Sequence, residues 1–282
     1  MATPSLQLPD LEAMPAEEVL RWAHAELGDK LCLTCSWQKQ SSVLVHMVSE
    51  LGLDIPVIRD SDSLSAEELI LAAYERFGDR LCLTCSWQKQ SSVLVHMVAE
   101  LELDIPVAEL DTHLFFRESY ETRDRLVERY GIKLLPPPHV ITVAEQHRAE
   151  GPNLWETDPD RCCHIRKVEP LLQALEPYDA WISGIRRDQS PSRATTPKVQ
   201  WSERYEVWKL HPLADWDEKR VWAYITINEI PYNPLHDVGF RSIGCIPCTR
   251  PTTPEEEERA GRWAGSDKLE CGIHLETPLG GT

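Results

Sequence analysis

The amino-acid sequence predicts an α/β fold in which helices flank a parallel, twisted β-sheet. Between residues 66 and 110, apolar runs of strand length alternate with segments of helical periodicity, an order typical of parallel strands joined by right-handed crossovers. A later apolar run at 180–183 is followed directly by Gly184 and a basic stretch. This order predicts a strand of the sheet that ends at a ligand site. The length of 282 residues and the hydrophobic fraction of 42% allow one or two domains with a substantial core.

The expected elements follow in chain order. Ala66–Phe77 has the apolar spacing of a helix, residues 80–86 are a short apolar run that predicts a strand, and residues 91–101 are again helical. Residues 105–110 predict a second strand and residues 180–183 a third. Helix and strand therefore alternate in this part of the chain.

Two later segments are also expected to be helical. Trp216, Val221, Trp222 and Ile225 fall at helical spacing, which predicts a helix packed on the core. The acidic run at 255–258 is interpreted as a solvated helix start, where carboxylates complement the helix dipole.

One segment of 18 residues occurs twice. Residues 31–48 recur without a change at 81–98, and weaker similarity extends to both sides at an offset of 50. Solenoids need three or more units, so the pattern indicates one duplicated segment. Only the second copy continues into Leu-Asp-Thr at 110–112, whereas the first continues into polar residues at 58–63 with turn and capping chemistry. We assign the working loop to the second copy, although the first copy is able to compete for the same place in the sheet.

Charge and composition limit the classes of function. The net charge is −17, which disfavours a nucleic-acid surface because phosphate backbones would be repelled. Nine cysteines without a secretory leader indicate a reducing compartment in which thiols stay free or bind metal. No apolar run approaches the length of a membrane span. We therefore expect a cytoplasmic protein that binds neither nucleic acid nor membrane.

The spacing of five cysteines predicts a metal centre and one free thiol. Cys162 and Cys163 are adjacent, Cys245 and Cys248 form a CxxC pair, and Cys271 stands alone. Two clusters of two thiols can close on one metal core. Adjacent cysteines suit an iron–sulfur cubane better than a zinc ion, but zinc and unligated thiols stay open as alternatives. Cys271 is left free for chemistry, or is a free surface thiol.

The repeated segment carries a second CxxC pair, Cys82 and Cys85. Residues three apart on a strand point to opposite faces, so both thiols cannot easily close on one ion. We interpret them as buried and inert strand cysteines.

A basic cluster follows the strand at 180–183. Arg186, Arg187 and Arg193 lie within eight residues, and Arg166 and Lys167 stand beside the first cysteine pair. In an acidic chain such a cluster predicts a local anion site, while a solvated charged face is the plainer alternative.

The loop between the first predicted strand and helix of the second copy has phosphate-binding chemistry. Backbone amides and the positive helix end can hold an anion there. Its frame resembles the Ser-Gly-Gly-x-Asp-Ser loop of ATP pyrophosphatases, with Ser86 and Ser91 at the serine positions. Trp87 and Gln88 replace the glycines and Gln90 replaces the aspartate. Loss of the glycine pair disfavours close wrapping round a pyrophosphate.

Four motifs together resemble a known family. They are RCCHIRKVEPL at 161–171, GIRRDQSPSRA at 184–194, GFRSIGCIPCT at 239–249 and ECGIH at 270–274. In this order they resemble the assimilatory adenylyl-sulfate reductases, the iron–sulfur branch of the phosphoadenylyl-sulfate reductase family. The resemblance covers residues from about 66 to 274.

The resemblance implies an adenine nucleotide α-hydrolase-like sheet with a mobile C-terminal tail, loosened by Gly261, Gly265 and Gly272. The expected organisation has three parts. These are an N-terminal extension with a duplicated loop segment at 1–65, a catalytic α/β domain with the iron–sulfur site at 66–250, and a tail with the nucleophilic cysteine at 251–282.

The same resemblance implies the site residues. Cys271 is the expected nucleophile, and one 4Fe-4S cluster per chain is expected on Cys162, Cys163, Cys245 and Cys248. The expected substrate-binding residues are Ser86, Asp111, Thr112, Lys167, Arg186, Arg187, Arg193, Arg262 and His274.

The implied reaction is reduction of adenosine 5'-phosphosulfate to sulfite and AMP through an S-sulfocysteine on the enzyme, in sulfate assimilation. Reduced thioredoxin or a similar dithiol protein is the expected electron donor, and a homo-oligomer stays open. Three alternatives remain: a 3'-phosphoadenylyl-sulfate reductase, an ATP-pyrophosphatase-type transferase and a noncatalytic metal-binding module. Pyrophosphate release would distinguish the second, and insensitivity to alkylation of Cys271 the third.

Overall fold

The computed structural model describes residues 10–35 and 39–274. The chain divides into two compact units, Met1–Leu64 and Ser65–Thr282. Within the described residues, no helix is both long and apolar enough to cross a membrane.

The first unit contains the first copy of the repeat. Its two strands pair in parallel, with Leu33 opposite Val57. Few of its side chains are buried, among them Cys35 and Val48, as expected where a sheet has only two strands. Its helices and strands are α1 (Ala16–Leu27), β1 (Leu33–Cys35), α2 (Lys39–Glu50) and β2 (Val57–Arg59).

The second unit holds a five-stranded sheet and most of the helices. Its elements begin with α3 (Ala66–Phe77), β3 (Leu81–Cys85), α4 (Lys89–Glu100), β4 (Val107–Glu109), α5 (Arg117–Tyr130) and α6 (Val143–Glu150). The short helices α7 (Leu154–Thr157) and α8 (Pro159–Cys163), a π-helical turn (His164–Val168), α9 (Glu169–Leu175) and β5 (Ala180–Ile182) follow. The last elements are β6 (Val199–Ser202), β7 (Val207–Leu210) and α10 (Glu218–Ile227).

The sheet of the second unit has the strand order β4-β3-β5-β7-β6. Neighbouring strands are parallel except for β6, which is antiparallel to β7. The second copy of the repeat supplies β3, with Leu83 opposite Val107 on one side and Leu81 opposite Ala180 on the other. The prediction of a mostly parallel α/β sheet is confirmed. Because parallel strands end at one edge, the loops after β3, β4 and β5 meet there.

Burial explains why these segments form their elements. Strand β3 is covered on both faces, and Leu81, Cys82 and Leu83 have no exposed surface, as in parallel sheets with helices on both sides. Helix α3 starts at a capping box in which the Ser65 hydroxyl accepts from the Glu68 N–H and the Glu68 carboxylate accepts from the Ser65 N–H. Helix α4 starts at Lys89, two residues earlier than predicted.

Two sequence predictions for the later part of the chain have different outcomes. The helix around Val221 and Ile225 is confirmed as α10, and both side chains are buried. The solvated helix start at 255–258 is wrong, because this segment forms turns rather than a helix and Glu258 is buried. The carboxylate of Glu258 is instead paired with Lys89 and Arg186.

Candidate active site

A cavity lies at the carboxyl ends of β3, β4 and β5. It contains about 1060 Å³ of empty space, including the part open to solvent. The loop after β3 contributes Ser86, Gln88 and Ser91, and the end of β5 contributes Ser183 and Gly184. The cavity therefore occupies the edge of the sheet at which α/β proteins bind ligands.

The loop after β3 keeps a conformation that glycine would favour, although it has no glycine. Trp87 has a φ of 55°, in the left-handed region that costs a non-glycine residue about 1–2 kcal/mol. Its indole is fully buried and donates a hydrogen bond to Glu109, which also pairs with Arg123 at 3.2 Å. Burial raises the pKa of the Glu109 carboxyl, and Arg123 and Trp87 oppose that rise. The buried anchor holds the strained turn in place.

The two serines of the loop contact each other across the turn. The backbone N–H of Ser86 donates to the Ser91 hydroxyl at 3.1 Å, and the two hydroxyls are also 3.1 Å apart. The side-chain oxygen of Gln88 accepts from the backbone N–H of Ile243 at 2.8 Å. The loop is thus closed on itself and tied to the segment before Cys245, beside the start of α4.

Cys271 lies in this cavity. It is 8% exposed and packs against Cys163 and Trp263. Burial and the charge of Glu270 favour the neutral thiol. The ammonium of Lys167, a hydrogen bond from the Ile273 backbone and the guanidinium of Arg262 outweigh them and lower the pKa of Cys271 below its ordinary value. A thiolate is the nucleophilic form of cysteine.

Four cationic side chains line the cavity, and they differ in their partners. Arg193 donates to Glu270 from Nε and Nη2, at 2.8 and 2.7 Å. Arg259 donates to Glu270 at 3.0 Å. Arg262 donates to the Ile243 carbonyl at 3.1 Å and stacks on Trp263, with its guanidinium carbon 4.6 Å from the ring centroid. Lys167, also in the lining, is surrounded by thiols, and thiolates of Cys245, Cys163 and Cys271 raise its pKa although burial opposes this.

Two predicted anion-binding arginines lie outside the cavity lining. Arg186 has no exposed surface and is paired with Glu258 at 2.6 Å and Asp188 at 2.9 Å. Arg187 donates to the Thr196 carbonyl at 2.8 Å. Neither side chain therefore lines the cavity, and each instead contacts neighbouring residues of the protein.

Asp111 and Thr112, at the end of β4, also lie behind the cavity wall. The Asp111 carboxylate accepts from the Tyr120 hydroxyl at 2.8 Å and from the His113 N–H at 2.7 Å. The Thr112 hydroxyl lies 3.3 Å from the Cys245 sulfur. The Leu-Asp-Thr segment thus links β4 to the cysteine cluster.

His274 lines the cavity next to the indole of Trp181. The two rings are stacked, with centroids 5.5 Å apart and an interplanar angle of 14°. Burial and the nearby cations hold the pKa of His274 well below its ordinary value, so the imidazole is neutral. Its Nδ1 atom has no hydrogen-bond partner among the described residues and is available to a ligand.

The four clustered cysteines meet in a second, smaller cavity. Cys162, Cys163, Cys245 and Cys248 all line it, together with apolar side chains that include Trp155 and Trp263. Helix α8 and the π-helical turn position the first pair, and a single 3₁₀ turn positions the second. π-Helical turns are often found at functional sites. Lys167 lines both cavities and so lies between them.

Within the described residues, no group of three or more histidine, cysteine, aspartate or glutamate side chains is placed to hold a single metal ion. The surroundings of these four thiols are compatible with a larger iron–sulfur cluster. Polar side chains approach the sulfur atoms. The Gln146 amide donates to Cys162 Sγ at 3.7 Å, and the Thr112 hydroxyl lies 3.3 Å from Cys245 Sγ, where either atom can be the donor. Arg166 lines the same cavity, and its Nε and Nη2 atoms are buried without a hydrogen-bond partner in the described part of the chain. Donors directed at sulfur are typical of cluster ligands. Burial raises the pKa of the Cys248 thiol to about 11, so a bound metal must displace its proton.

The other CxxC pair is buried, as the sequence predicts, although Cys85 also lines the active-site cavity. Cys82 packs in the core against Trp181, and Cys85 is also buried. Burial raises the pKa of both thiols, that of Cys85 to about 12.

Known proteins are similar to this chain over the residues that form the site. Residues 80–251 match the phosphoadenosine phosphosulfate reductase domain. An adenosine 5'-phosphosulfate reductase of Bacillus pumilus (strain SAFR-032) is 45% identical over 260 residues, which cover 92% of this chain and 90% of that protein. Adenosine 5'-phosphosulfate reductase 1 of Bacillus subtilis (strain 168) is 44% identical with the same coverage. The chain belongs to the phosphoadenosine phosphosulfate reductase family.

Solved structures agree with this membership in the phosphoadenosine phosphosulfate reductase family. A crystal structure of phosphoadenylyl-sulfate reductase from Candida auris, in a phosphate complex, aligns with a TM-score of 0.59 and 26% identity. The alignment covers 77% of this chain and all of that one. Candida glabrata FMN adenylyltransferase aligns with a TM-score of 0.50 and 17% identity, over 74% of this chain and 76% of that one, and shares the fold alone.

Some residues at this family site were not identified from the sequence. Arg259 and Ser183 line the cavity, and Glu270 pairs with two of its arginines. Arg259 stands in a segment that the sequence indicated as a solvated acidic helix, and a serine after a strand carries no special signal. The glutamate inside the ECGIH motif, next to the candidate nucleophile, was the available signal.

Proposed function

We propose that this chain reduces adenosine 5'-phosphosulfate to sulfite and AMP, using reduced thioredoxin or a similar dithiol protein. The chain is an oxidoreductase that acts on a sulfur group, as its family and its adenosine 5'-phosphosulfate reductase relatives indicate. One observation carries the proposed mechanism. Cys271, a buried thiol with a lowered pKa, shares one cavity with the loop after β3 and with Lys167.

The nucleotide would bind at the carboxyl edge of the sheet. Ser86, Ser91 and the N-terminal end of α4 offer hydroxyls and a positive helix end to a phosphate. Lys167 and Arg262 offer charge to the phosphosulfate, and the unpartnered Nδ1 of His274 offers a further polar contact. Asp111, Thr112, Arg186 and Arg187 would act by holding these groups in position, since they line no part of this cavity.

The sulfur chemistry needs one thiolate and one dithiol. The Cys271 thiolate attacks the sulfate sulfur, an S–S bond forms, the S–O bond to the phosphate breaks, and AMP leaves. A thiolate of the partner then attacks the Cys271 sulfur, and sulfite leaves with the electron pair of the broken S–S bond. The second partner thiol breaks the mixed disulfide and regenerates the Cys271 thiolate. The partner is oxidised to a disulfide by two electrons, and the sulfate sulfur is reduced by two.

Cys162, Cys163, Cys245 and Cys248 would hold a 4Fe-4S cluster. Such a cluster would supply order and polarisation next to the substrate site when bound, without a change of its own redox state. Lys167 stands between the two cavities and would orient the phosphosulfate from that side.

The 3'-phosphorylated nucleotide is the second candidate substrate, because the matching family and the Candida auris enzyme are named for it. The four converging cysteines favour the substrate without the 3'-phosphate, since the resemblance of the motifs is to the iron–sulfur branch. A transferase that releases pyrophosphate is disfavoured, because Trp87 and Gln88 stand where ATP pyrophosphatases have glycines.

Sulfite release in the presence of reduced thioredoxin tests the proposal. We expect adenosine 5'-phosphosulfate to support turnover, with a kcat/KM at least tenfold above that of the 3'-phosphorylated compound, and no pyrophosphate to be released. Sulfite release only from the 3'-phosphorylated nucleotide, or pyrophosphate release from ATP, would overturn it.

The repeat provides a matched control for the site. Ser86→Ala alters the loop that lines the cavity, and Ser36→Ala makes the same change in the first copy. We expect kcat/KM to fall by about tenfold for Ser86→Ala, the loss typical of one hydrogen bond to a charged group, and to stay unchanged for Ser36→Ala. The opposite result would transfer the working loop to the first copy.

A further inference from the structure

The C-terminal tail, described here for residues 251–274, returns across the cavity and is fixed at several points. Near its start, Thr249 forms a bridge with Arg262, and the Trp263 N–H donates to the Cys248 carbonyl at 3.0 Å. Farther along, Leu269 is 74% exposed whereas the adjacent Glu270 is 8% exposed. The Leu269 side chain therefore faces solvent, and the Glu270 side chain faces the protein.

Glu270 makes an unusually complete set of contacts for a carboxylate in a tail. Arg193 donates to both of its oxygens in a bidentate pair at 2.8 and 2.7 Å, and Arg259 donates to one oxygen at 3.0 Å. The Ser192 hydroxyl lies 3.3 Å from the other oxygen. Burial would raise the pKa of Glu270, but hydrogen bonds and charge from Arg193 lower it below its ordinary value. Bidentate arginine pairs fix orientation as well as supply energy.

We infer that Glu270 is a positioning residue for the reaction, which docks the tail on Arg193 and Arg259 and so holds Cys271 in the cavity. The inference rests on the proposed role of Cys271 as the nucleophile. Cys271 is the next residue in the chain, so a fixed Glu270 leaves its sulfur only a short arc of positions. Effective catalysis requires reacting atoms to be held within a few tenths of an ångström of the productive arrangement.

Because of these contacts, the cationic side chains of the cavity have two different roles. Arg193 uses its remaining Nη1 atom on the Gln189 side chain at 2.6 Å, so each of its three nitrogens has a partner while the tail is docked. Lys167 and Arg262 have no carboxylate partner within the described residues. The docked tail therefore reserves Lys167 and Arg262 for the anion and uses Arg193 to hold the nucleophile.

Cys271-specific alkylation by iodoacetamide, without substrate, tests this inference. The rate is followed by peptide mass spectrometry so that Cys271 is resolved from the other thiols. Loss of the Glu270 charge also lowers the pKa of Cys271, so the rates are compared at a pH high enough that Cys271 is fully ionised in each variant. There we expect Glu270→Gln to raise the rate by about tenfold to a hundredfold, as when charge-assisted hydrogen bonds are lost. Cys82, which has no exposed surface in the sheet, should stay unmodified and so report that the variant is folded. Glu255→Gln is the control, because Glu255 is an exposed acid of the same tail.

Arg193→Met provides the second arm. If Arg193 acts only through Glu270, the double variant should have the alkylation rate of Glu270→Gln. Arg193→Met alone leaves the Arg259–Glu270 pair in place, so its rate should lie between those of wild type and Glu270→Gln. For Glu270→Gln, kcat for sulfite release should fall about tenfold or more while KM changes by less than threefold. Wild-type alkylation of Cys271 in Glu270→Gln, or multiplied effects in the double variant, would overturn the inference. Alkylation needs no substrate, so the two failures give different results. If the docking inference fails, the alkylation rate of Glu270→Gln equals that of wild type. If instead the proposed reaction fails, Glu270→Gln is still alkylated faster, but no variant releases sulfite.

Discussion

Replacing Trp87 by phenylalanine tests how the loop of the active site is held. The change keeps an aromatic ring in a fully buried position but removes the indole N–H that Glu109 accepts. Glu109 is 8% exposed and retains only the Arg123 pair at 3.2 Å. A hydrogen bond to a charged group is worth about 1.5–3 kcal/mol, and a domain of this size loses roughly 2–4 °C of Tm per kcal/mol. We therefore expect Tm to fall by about 3–12 °C at neutral pH.

The pH dependence of stability distinguishes the loss of this hydrogen bond from the loss of side-chain volume. Burial raises the pKa of Glu109 in the folded protein, so its stabilising contribution is complete below the ordinary carboxyl pKa and is lost as pH rises through the raised value. Loss of the Trp87 donor raises that pKa further. The difference in free energy of unfolding between Trp87→Phe and wild type should thus be larger at about pH 7.5 than at about pH 5, measured by urea titration.

A double-mutant cycle with Glu109→Gln and a control in the repeat complete the test. The coupling free energy between Trp87 and Glu109 should be about 1–3 kcal/mol. Trp37→Phe is the matched control, because the first copy has Arg59 where the second has Glu109, and no pH-dependent difference is expected. A coupling below about 0.5 kcal/mol, or the same loss at both pH values, would refute the anchoring of the loop by Glu109.

Three further predictions concern stability, the anion site and the metal centre. Lys89→Met should reduce the free energy of unfolding by about 1.5–3 kcal/mol because it removes the charge-assisted contacts of a buried ammonium with Glu218 and Glu258. These carboxylates keep Arg241 and Arg186 as partners. Lys39→Met, at an exposed position, should change it by less than about 0.5 kcal/mol in the same urea titration. Gly244→Ala should lower kcat/KM by about tenfold or more with little change in Tm, since a Cβ atom there would lie 2.3 Å from the Arg262 guanidinium and displace a charge that the anion needs. Cys162→Ser should lose most of the iron and acid-labile sulfide per chain, measured by colorimetric analysis after anaerobic purification.

Each of these predictions has an outcome that contradicts it. Equal destabilisation by Lys89→Met and Lys39→Met would mean that the two copies of the repeat have equivalent environments. Normal turnover of Gly244→Ala would remove Arg262 from the anion site. Full iron and sulfide in Cys162→Ser, or zinc in the wild type, would remove the cluster from the account.

The sequence predicted the sheet well because its information is local. Periodicity gave α3, β3 and β4 to within two or three residues, and α4 begins only two residues before its predicted start. These segments are buried by neighbours in the sheet, so the apolar pattern and the burial agree. The sequence also predicted that two pairs of cysteines, Cys162 and Cys163 with Cys245 and Cys248, lie in one cavity. This was possible because thiols clustered in this way are typical of metal centres.

The errors arose where distant residues decide the outcome. An acidic run is normally solvated, but Glu258 is buried because Lys89 and Arg186 arrive from other parts of the fold. The positive φ of Trp87 is likewise supported from a distance, because Glu109 accepts a hydrogen bond from its indole. Neither partner is visible in the local sequence. The ion pair between Glu270 of the tail and Arg193 also joins residues far apart in the chain, and the expected mobility of the tail stays a prediction.

Trapping of the covalent intermediate tests the central claim most directly. Anaerobically purified protein is incubated with adenosine 5'-phosphosulfate without thioredoxin, and its peptides are analysed by mass spectrometry. The account predicts one SO₃ group on Cys271, one AMP released per modified chain, and release of sulfite when reduced thioredoxin is added. An SO₃ group on another cysteine, or release of AMP and sulfate from a protein unmodified at Cys271, would contradict it.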